Sequence, residues 1–127
     1  MGKSMDVNEI KKLEKSSKED PSLTPVSIDG VVGTRVKYEL LEKGLTLRVV
    51  RSDRFQENDY VHFITQADGD GYGKKFPIID PLQDAKIPMP AEVALGYAGR
   101  SVEVKYFYNG YITSPTVFFE FEGQPQS

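Results

Sequence analysis

The chain has 127 residues, 39% of them hydrophobic and 28% charged, with a formal net charge of −3 and no cysteine. That is the size of one domain with one core, and the lack of cysteine excludes disulfides, thiolate metal sites and cysteine nucleophiles. Sixteen Lys and Arg interspersed with nineteen acids leave no concentrated basic face for nucleic acid. No run approaches the roughly 18–20 apolar residues of a membrane helix, so membrane insertion is not expected. The start, MGKSMDVNEIKKLEKSS, lacks the apolar middle and small-residue cleavage site of a secretory signal. Asn8, Asn58 and Asn109 each lack the Ser or Thr of a glycosylation acceptor.

Residues 1–25 differ from the rest. Asp6 with Glu9 fits a capping box, and Val7, Ile10 and Leu13 follow at helical spacing. So short a helix is marginal in water without a surface to dock on. Five Lys balance five acids there, and Ser16-Ser17, Asp20-Pro21 and Pro25 break the pattern. Residues 1–25 are therefore expected to be a helical or disordered tail, 26–123 the folded domain and 124–127 a C-terminal tail.

From Val26 the texture changes to short β-type runs with turn punctuation. Val26 to Ile28 is a first strand, stopped by Asp29-Gly30. Val36, Tyr38 and Leu40 alternate with charged residues, although that stretch is ambiguous. Leu45, Leu47 and Val49 mark a half-buried strand, and Asp59 to Gln66 a central one. Ala67 to Gly73 (ADGDGYG) reads as a loop, with a short strand from Lys74 to Ile79 behind it. Pro88 and Pro90 place Ala85 to Val93 at an edge or in irregular backbone. Ser101 to Phe121 is a closing hairpin around Asn109-Gly110. With about seven strands and no confident internal helix, the expected fold is all-β, an antiparallel β-sandwich, with a small barrel as the alternative.

The order Pro25-x-x-Ile28-Asp29-Gly30, Leu45-x-Leu47-x-Val49, Asn58-Asp59-Tyr60-Val61 resembles bacterial immunoglobulin-like repeat domains. So does the close: Ile87-Pro88-Met89-Pro90, Tyr97-Ala98-Gly99-Arg100-Ser101-Val102-x-Val104-x-Tyr106, and Ser114-Pro115. The resemblance covers roughly residues 25–123. It implies an immunoglobulin-like β-sandwich acting as an adhesive or spacer module of a bacterial surface or secreted protein. Asn58 stands where the family has Gly, and Thr65 where it has an aromatic, often Trp. The core must then be filled by Phe63, Tyr106, Phe119 and Phe121.

Chemistry-bearing motifs are sparse. Counted as an EF-hand from Asp68, the loop has Asp70 at the third position but Tyr72 at the fifth and Ile79 at the twelfth, so that motif is rejected. Asp68 and Asp70 remain as candidate ligands of an irregular calcium site, the single cofactor considered. His62, the only histidine, has no nucleophile arrangement around it, and GDGYGKK lacks phosphate-loop spacing. No catalytic residue is assigned and a non-enzymatic role is expected. Phe107, Tyr108, Tyr111, Ile112 and Tyr72 are the candidate contact residues for a protein partner. The alternative partner is a glycan stacked on tyrosines near the 107–112 tip. Arg48, Arg51 and Arg54 read as a solvated face balancing nearby acids.

The hairpin contains its own conflict. A two-residue loop would pair Tyr108 with Tyr111 and Val104 with Pro115 at a bonded position, where Pro has no donor. A bulge or break near Ser114-Pro115, or a longer loop, is the expected resolution.

Overall fold

The computed structural model describes residues 3–5 and 7–125, with side chains from residue 8 onward. Asp6 of the capping box, and residues 126–127 of the C-terminal tail, lie outside the described residues. The chain is mostly β, with two sheets facing each other. In the larger one, β7 (Asp70–Pro77), β6 (Tyr60–Ala67) and β9 (Ser101–Tyr108) run antiparallel side by side. The free edge of β9 is shared: its end pairs with β10 (Ile112–Thr113) and its start with β11 (Val117–Phe121). The smaller sheet has the order β3 (Ser27–Ile28), β5 (Leu45–Val49), β8 (Ala85–Met89). The sheet is not purely antiparallel as expected, because β4 (Arg35–Val36) adds to β11 in parallel.

The core lies between the sheets. Leu45, Leu47 and Val49 alternate with half-buried Thr46 and Arg48. They face Val61 and Phe63 of β6, Val102, Val104 and Tyr106 of β9, and Phe119 and Phe121 of β11. Phe63, Tyr106, Phe119 and Phe121 are all buried, as the lack of Trp required. Thr65 is buried too, with its hydroxyl 3.0 Å from that of Tyr97, whose ring stands edge-on to Phe121. Asn58 takes φ +76°, the left-handed region that Gly favours and Asn tolerates.

Three expectations are corrected. The alternation around Val36 to Leu40 is not one strand: after β4 the chain forms α2 (Tyr38–Lys43), which buries Leu41. The irregular stretch after β8 becomes α3 (Ala91–Gly96), started by Pro90 at its cap and burying Ala94. These short helices contact each other and each places a side chain in the core, Leu41 and Ala94, a tertiary role that outweighs local alternation. Third, only Asp68 and Gly69 of ADGDGYG form a turn. Their φ values of +33° and +88°, with Ala67 opposite Asp70, make a two-residue hairpin loop, so β7 begins at Asp70.

The closing hairpin breaks where Pro115 demanded it. Ile112 pairs with Tyr108 across a three-residue loop, and after Ser114–Thr116 the register moves by one, so that Val117 rather than Pro115 faces Val104. Ser114 is buried and takes over the missing ladder position: the Tyr106 N–H donates to its Oγ at 3.0 Å.

The N-terminal segment straps the outer face of the larger sheet. β1 (Lys3–Met5) pairs with the edge of β7, and β2 (Lys18–Glu19) runs parallel to β10 at the opposite edge. Between them α1 (Val7–Ser16) lays Ile10 on Ile64 and Phe107, with Leu13 beside them. Lys105, 4% exposed, is ion-paired with Glu14 of this helix and with Glu103.

Candidate functional site

Register fixes which loops meet. Tyr60 faces Pro77, Val61 faces Tyr108 and Val49 faces Ala85. The loops 50–59, 78–84 and 109–111 therefore emerge at the same end of the sandwich.

Their backbones are held together by polar groups of the loops themselves. The Tyr60 N–H donates to Asn109 Oδ1 at 2.9 Å, and the Asn109 N–H to the Tyr60 carbonyl at 3.0 Å. The Tyr108 hydroxyl donates to the Asp59 carboxylate, and the Arg54 carbonyl lies 2.9 Å from it. Phe55 from the first loop stacks on the Tyr108 ring, centroids 5.1 Å apart. The Ile78 N–H bonds the Asp59 carbonyl at 2.8 Å, tying the second loop to the first. Asp84 joins them again, accepting from the Arg51 N–H and from Arg48, each at 2.9 Å.

The electrostatics follow these contacts. The Tyr108 hydroxyl, with Asn109 and the Gln56 N–H, holds the Asp59 carboxyl below the usual carboxylate range. Burial, and then Asp59, push the Tyr108 phenol well above its ordinary value. Asp84 is lowered by the Arg51 N–H and Arg48. The basic cluster is balanced by acids as expected: Arg48 with Asp29 and Asp84, Arg51 with Asp53, Arg54 with Asp20.

On this braced end, Ile79 is 78% exposed, Leu82 73% and Tyr111 55%. Between the first two loops lies a shallow cavity of about 170 Å³ lined by Phe55, Phe76, Ile78, Ile79, Asp84 and Lys86. The surface offers apolar side chains on a hydrogen-bonded frame, with Arg51, Asp53 and Asp80 around it.

The candidate contact residues divide. Tyr111 is exposed at the tip, and Ile112 is half-buried against the core. Phe107 and Tyr108 are buried, the first under α1 and the second between the sheets, so neither presents a ring face to a ligand. Tyr72 is buried as well and packs at 5.9 Å on Phe63. Opposite Thr65, it sits five residues along the strand from the Tyr60–Pro77 end, about 17 Å away. Of these five candidate contact residues, Tyr111 and part of Ile112 are thus open to a partner. For Phe107 and Tyr108 the reason is that β9 is covered on both faces, by α1 and by the second sheet. His62 lies on the outer face in register with Phe107 and Lys75.

Of the acidic pair, Asp68 occupies the left-handed turn, and Asp70 accepts from Arg100 at 2.8 Å, which also donates to the Ala67 carbonyl. Among the described residues no three His, Asp or Glu side chains gather closely enough to hold a metal ion.

Ile79 and Leu82 were not singled out from the sequence. A signal was present in Pro77-Ile78-Ile79-Asp80-Pro81-Leu82, where apolar residues sit in a Pro- and Asp-interrupted stretch that cannot continue a strand. Comparison with known protein families, with curated proteins and with solved structures finds no match to this chain.

Proposed function

We infer that the chain is a non-catalytic, immunoglobulin-like binding or spacing module that contacts a protein partner through the 50–59, 78–84 and 109–111 loop end. The observation that carries this is the exposure of Ile79, Leu82 and Tyr111 on loops locked by Asp59, Asn109 and Asp84. Large apolar side chains in water on a preorganised frame lose little entropy when a partner covers them, and aromatic anchors concentrate interface energy. The immunoglobulin-like assignment is supported by the facing strand orders β3-β5-β8 and β7-β6-β9-β11-β4, beside the motif resemblance. That resemblance is also what motivates a bacterial surface or secreted setting.

The test compares the full chain with Ile79→Ser/Leu82→Ser/Tyr111→Ala in affinity capture from the surface and secreted fractions of the source cell, followed by titration of the purified partner. The reading expects a specific partner whose affinity falls at least about 10-fold in the triple variant, while Val32→Ser, exposed elsewhere, has no effect. Equal binding by the triple variant would place the contact on another face.

A further inference from the structure

A second surface lies on the outer face of the larger sheet, beyond the reach of α1. Phe118 is 57% exposed in the middle of β11, although its strand neighbours Val117 and Phe119 turn inward. Register sets it in a row across the strands: Phe118 opposite Glu103, Glu103 opposite Gln66, and Gln66 opposite Gly71. Two interstrand steps separate the aromatic ring from the carboxamide, about 10 Å. Gln66, Asp68, Gly69, Ser101, Glu103 and Phe118 line a concavity of about 390 Å³. The space beside Gly69 is open.

The polar groups are fixed by the fold. Glu103 Oε2 accepts from Gln66 Nε2 at 3.0 Å and from Lys105 Nζ at 3.1 Å. Lys105 is itself held by Glu14 of the strap. One ammonium is thus shared by two carboxylates, so the charge of Glu103 is met only in part, and its carboxylate, oriented by Gln66 and Lys105, keeps acceptor capacity for a hydroxyl. A cationic ligand would have to compete with Lys105. A neutral polyhydroxylated ring does not: its hydroxyls can meet the carboxylate, the carboxamide and Ser101 while its C–H face covers Phe118.

We propose that the Phe118–Glu103–Gln66 row is a saccharide-binding platform for the pyranose rings of a neutral oligosaccharide. It is separate from the protein-contacting loop end, because the Asp68-Gly69 turn closes the opposite end of the β6–β7 hairpin from Tyr60 and Pro77. Either assignment can fail without the other.

The test is two-dimensional NMR of the isotope-labelled full chain titrated with cellohexaose, chitohexaose and xylohexaose, and with a lysine- and arginine-rich peptide in a parallel arm. At least one of the saccharides is expected to shift amides of residues 66–69, 101–103 and 118, with a dissociation constant of about 1 mM or tighter. Phe118→Ala should weaken binding about 10-fold, and Gln66→Ala by a smaller factor. Both variants should melt with the parent, since the Phe118 ring is exposed and Gln66 only half-buried. The loop-end triple variant should bind the saccharide as the parent does. Four outcomes overturn the proposal: no shift with any saccharide, shifts indifferent to Phe118→Ala, binding of the peptide alone, or movement of the same amides on dilution without ligand, which marks a self-association face.

Discussion

Tyr106 sits in the middle of the core with its ring edge-on to Phe55, and its hydroxyl is a buried side-chain oxygen without a hydrogen-bond partner among the described residues. Burial pushes its phenol up to about 12. An unsatisfied buried hydroxyl costs desolvation without return, whereas the ring alone fills the same volume. Tyr106→Phe is therefore expected to leave stability unchanged or raise it by about 1 kcal/mol in urea unfolding. Asp59 is the opposite case, a partly solvated carboxylate whose charge is met by the Tyr108 hydroxyl first, then Asn109 and the Gln56 N–H. Its folded pKa lies below the unfolded value, so its stabilisation is present above about pH 4 and is lost as pH falls through the folded pKa. Asp59→Asn should cost about 1 kcal/mol at neutral pH, moderated by solvent screening. It should also flatten the acid side of a plot of melting temperature against pH. An unaltered acid slope would show that the Asp59 contacts do not contribute.

The strap is an element that cannot stand by itself. At ten residues, α1 is shorter than the ~12–15 at which isolated helices become even marginal in water, so its helicity depends on docking. Ile10 supplies the contact, on Ile64 and Phe107, and the Glu14–Lys105 pair borders it. Ile10→Ser removes about 2 kcal/mol of apolar burial. Because β1 and β2 hold the strap to the two sheet edges independently of Ile10, the loss should be local to the helix. Hydrogen exchange is expected to show residues 7–16 losing protection while β6 and β9 keep theirs. Loss of protection in β9 as well would mean that the strap and the sandwich unfold as one unit.

For the molecule as a whole, four of the seven tyrosines carry raised phenols: Tyr72, Tyr97, Tyr106 and Tyr108, each with burial as the first cause. A group whose folded pKa is raised contributes stability that is fully present below the unfolded pKa and is lost as pH rises toward the folded one. The unfolded value is about 10 for tyrosine. Above about pH 10 the folded state should therefore weaken, and these tyrosines should ionise together with loss of the β circular-dichroism signal. If all seven ionised near pH 10 with the sheets intact, the buried positions of Tyr106 and Tyr97 would be refuted.

Much of the sandwich was legible in the chain. Leu45-Leu47-Val49, Val102-Val104 and Val117-Phe119-Phe121 alternate because each strand buries one face, and period-two patterning is a local property. The conflict between Asn109-Gly110 and Pro115 was readable for the same reason: hairpin parity and a missing N–H are decided by neighbours in sequence. What no local rule supplies is the second cover on a strand. Phe107 looked exposed because it faces away from the core, and it is buried because α1, more than ninety residues earlier, lies over it. The loop-end residue Ile79 came to share a cavity with Phe55, more than twenty residues earlier, only when sheet register brought their loops to one end. Alternation along the chain determined which residues could form strands and a core. Which remaining faces stay open to a partner was decided by long-range docking, whose favourable burial depends on the partner surface rather than on the segment.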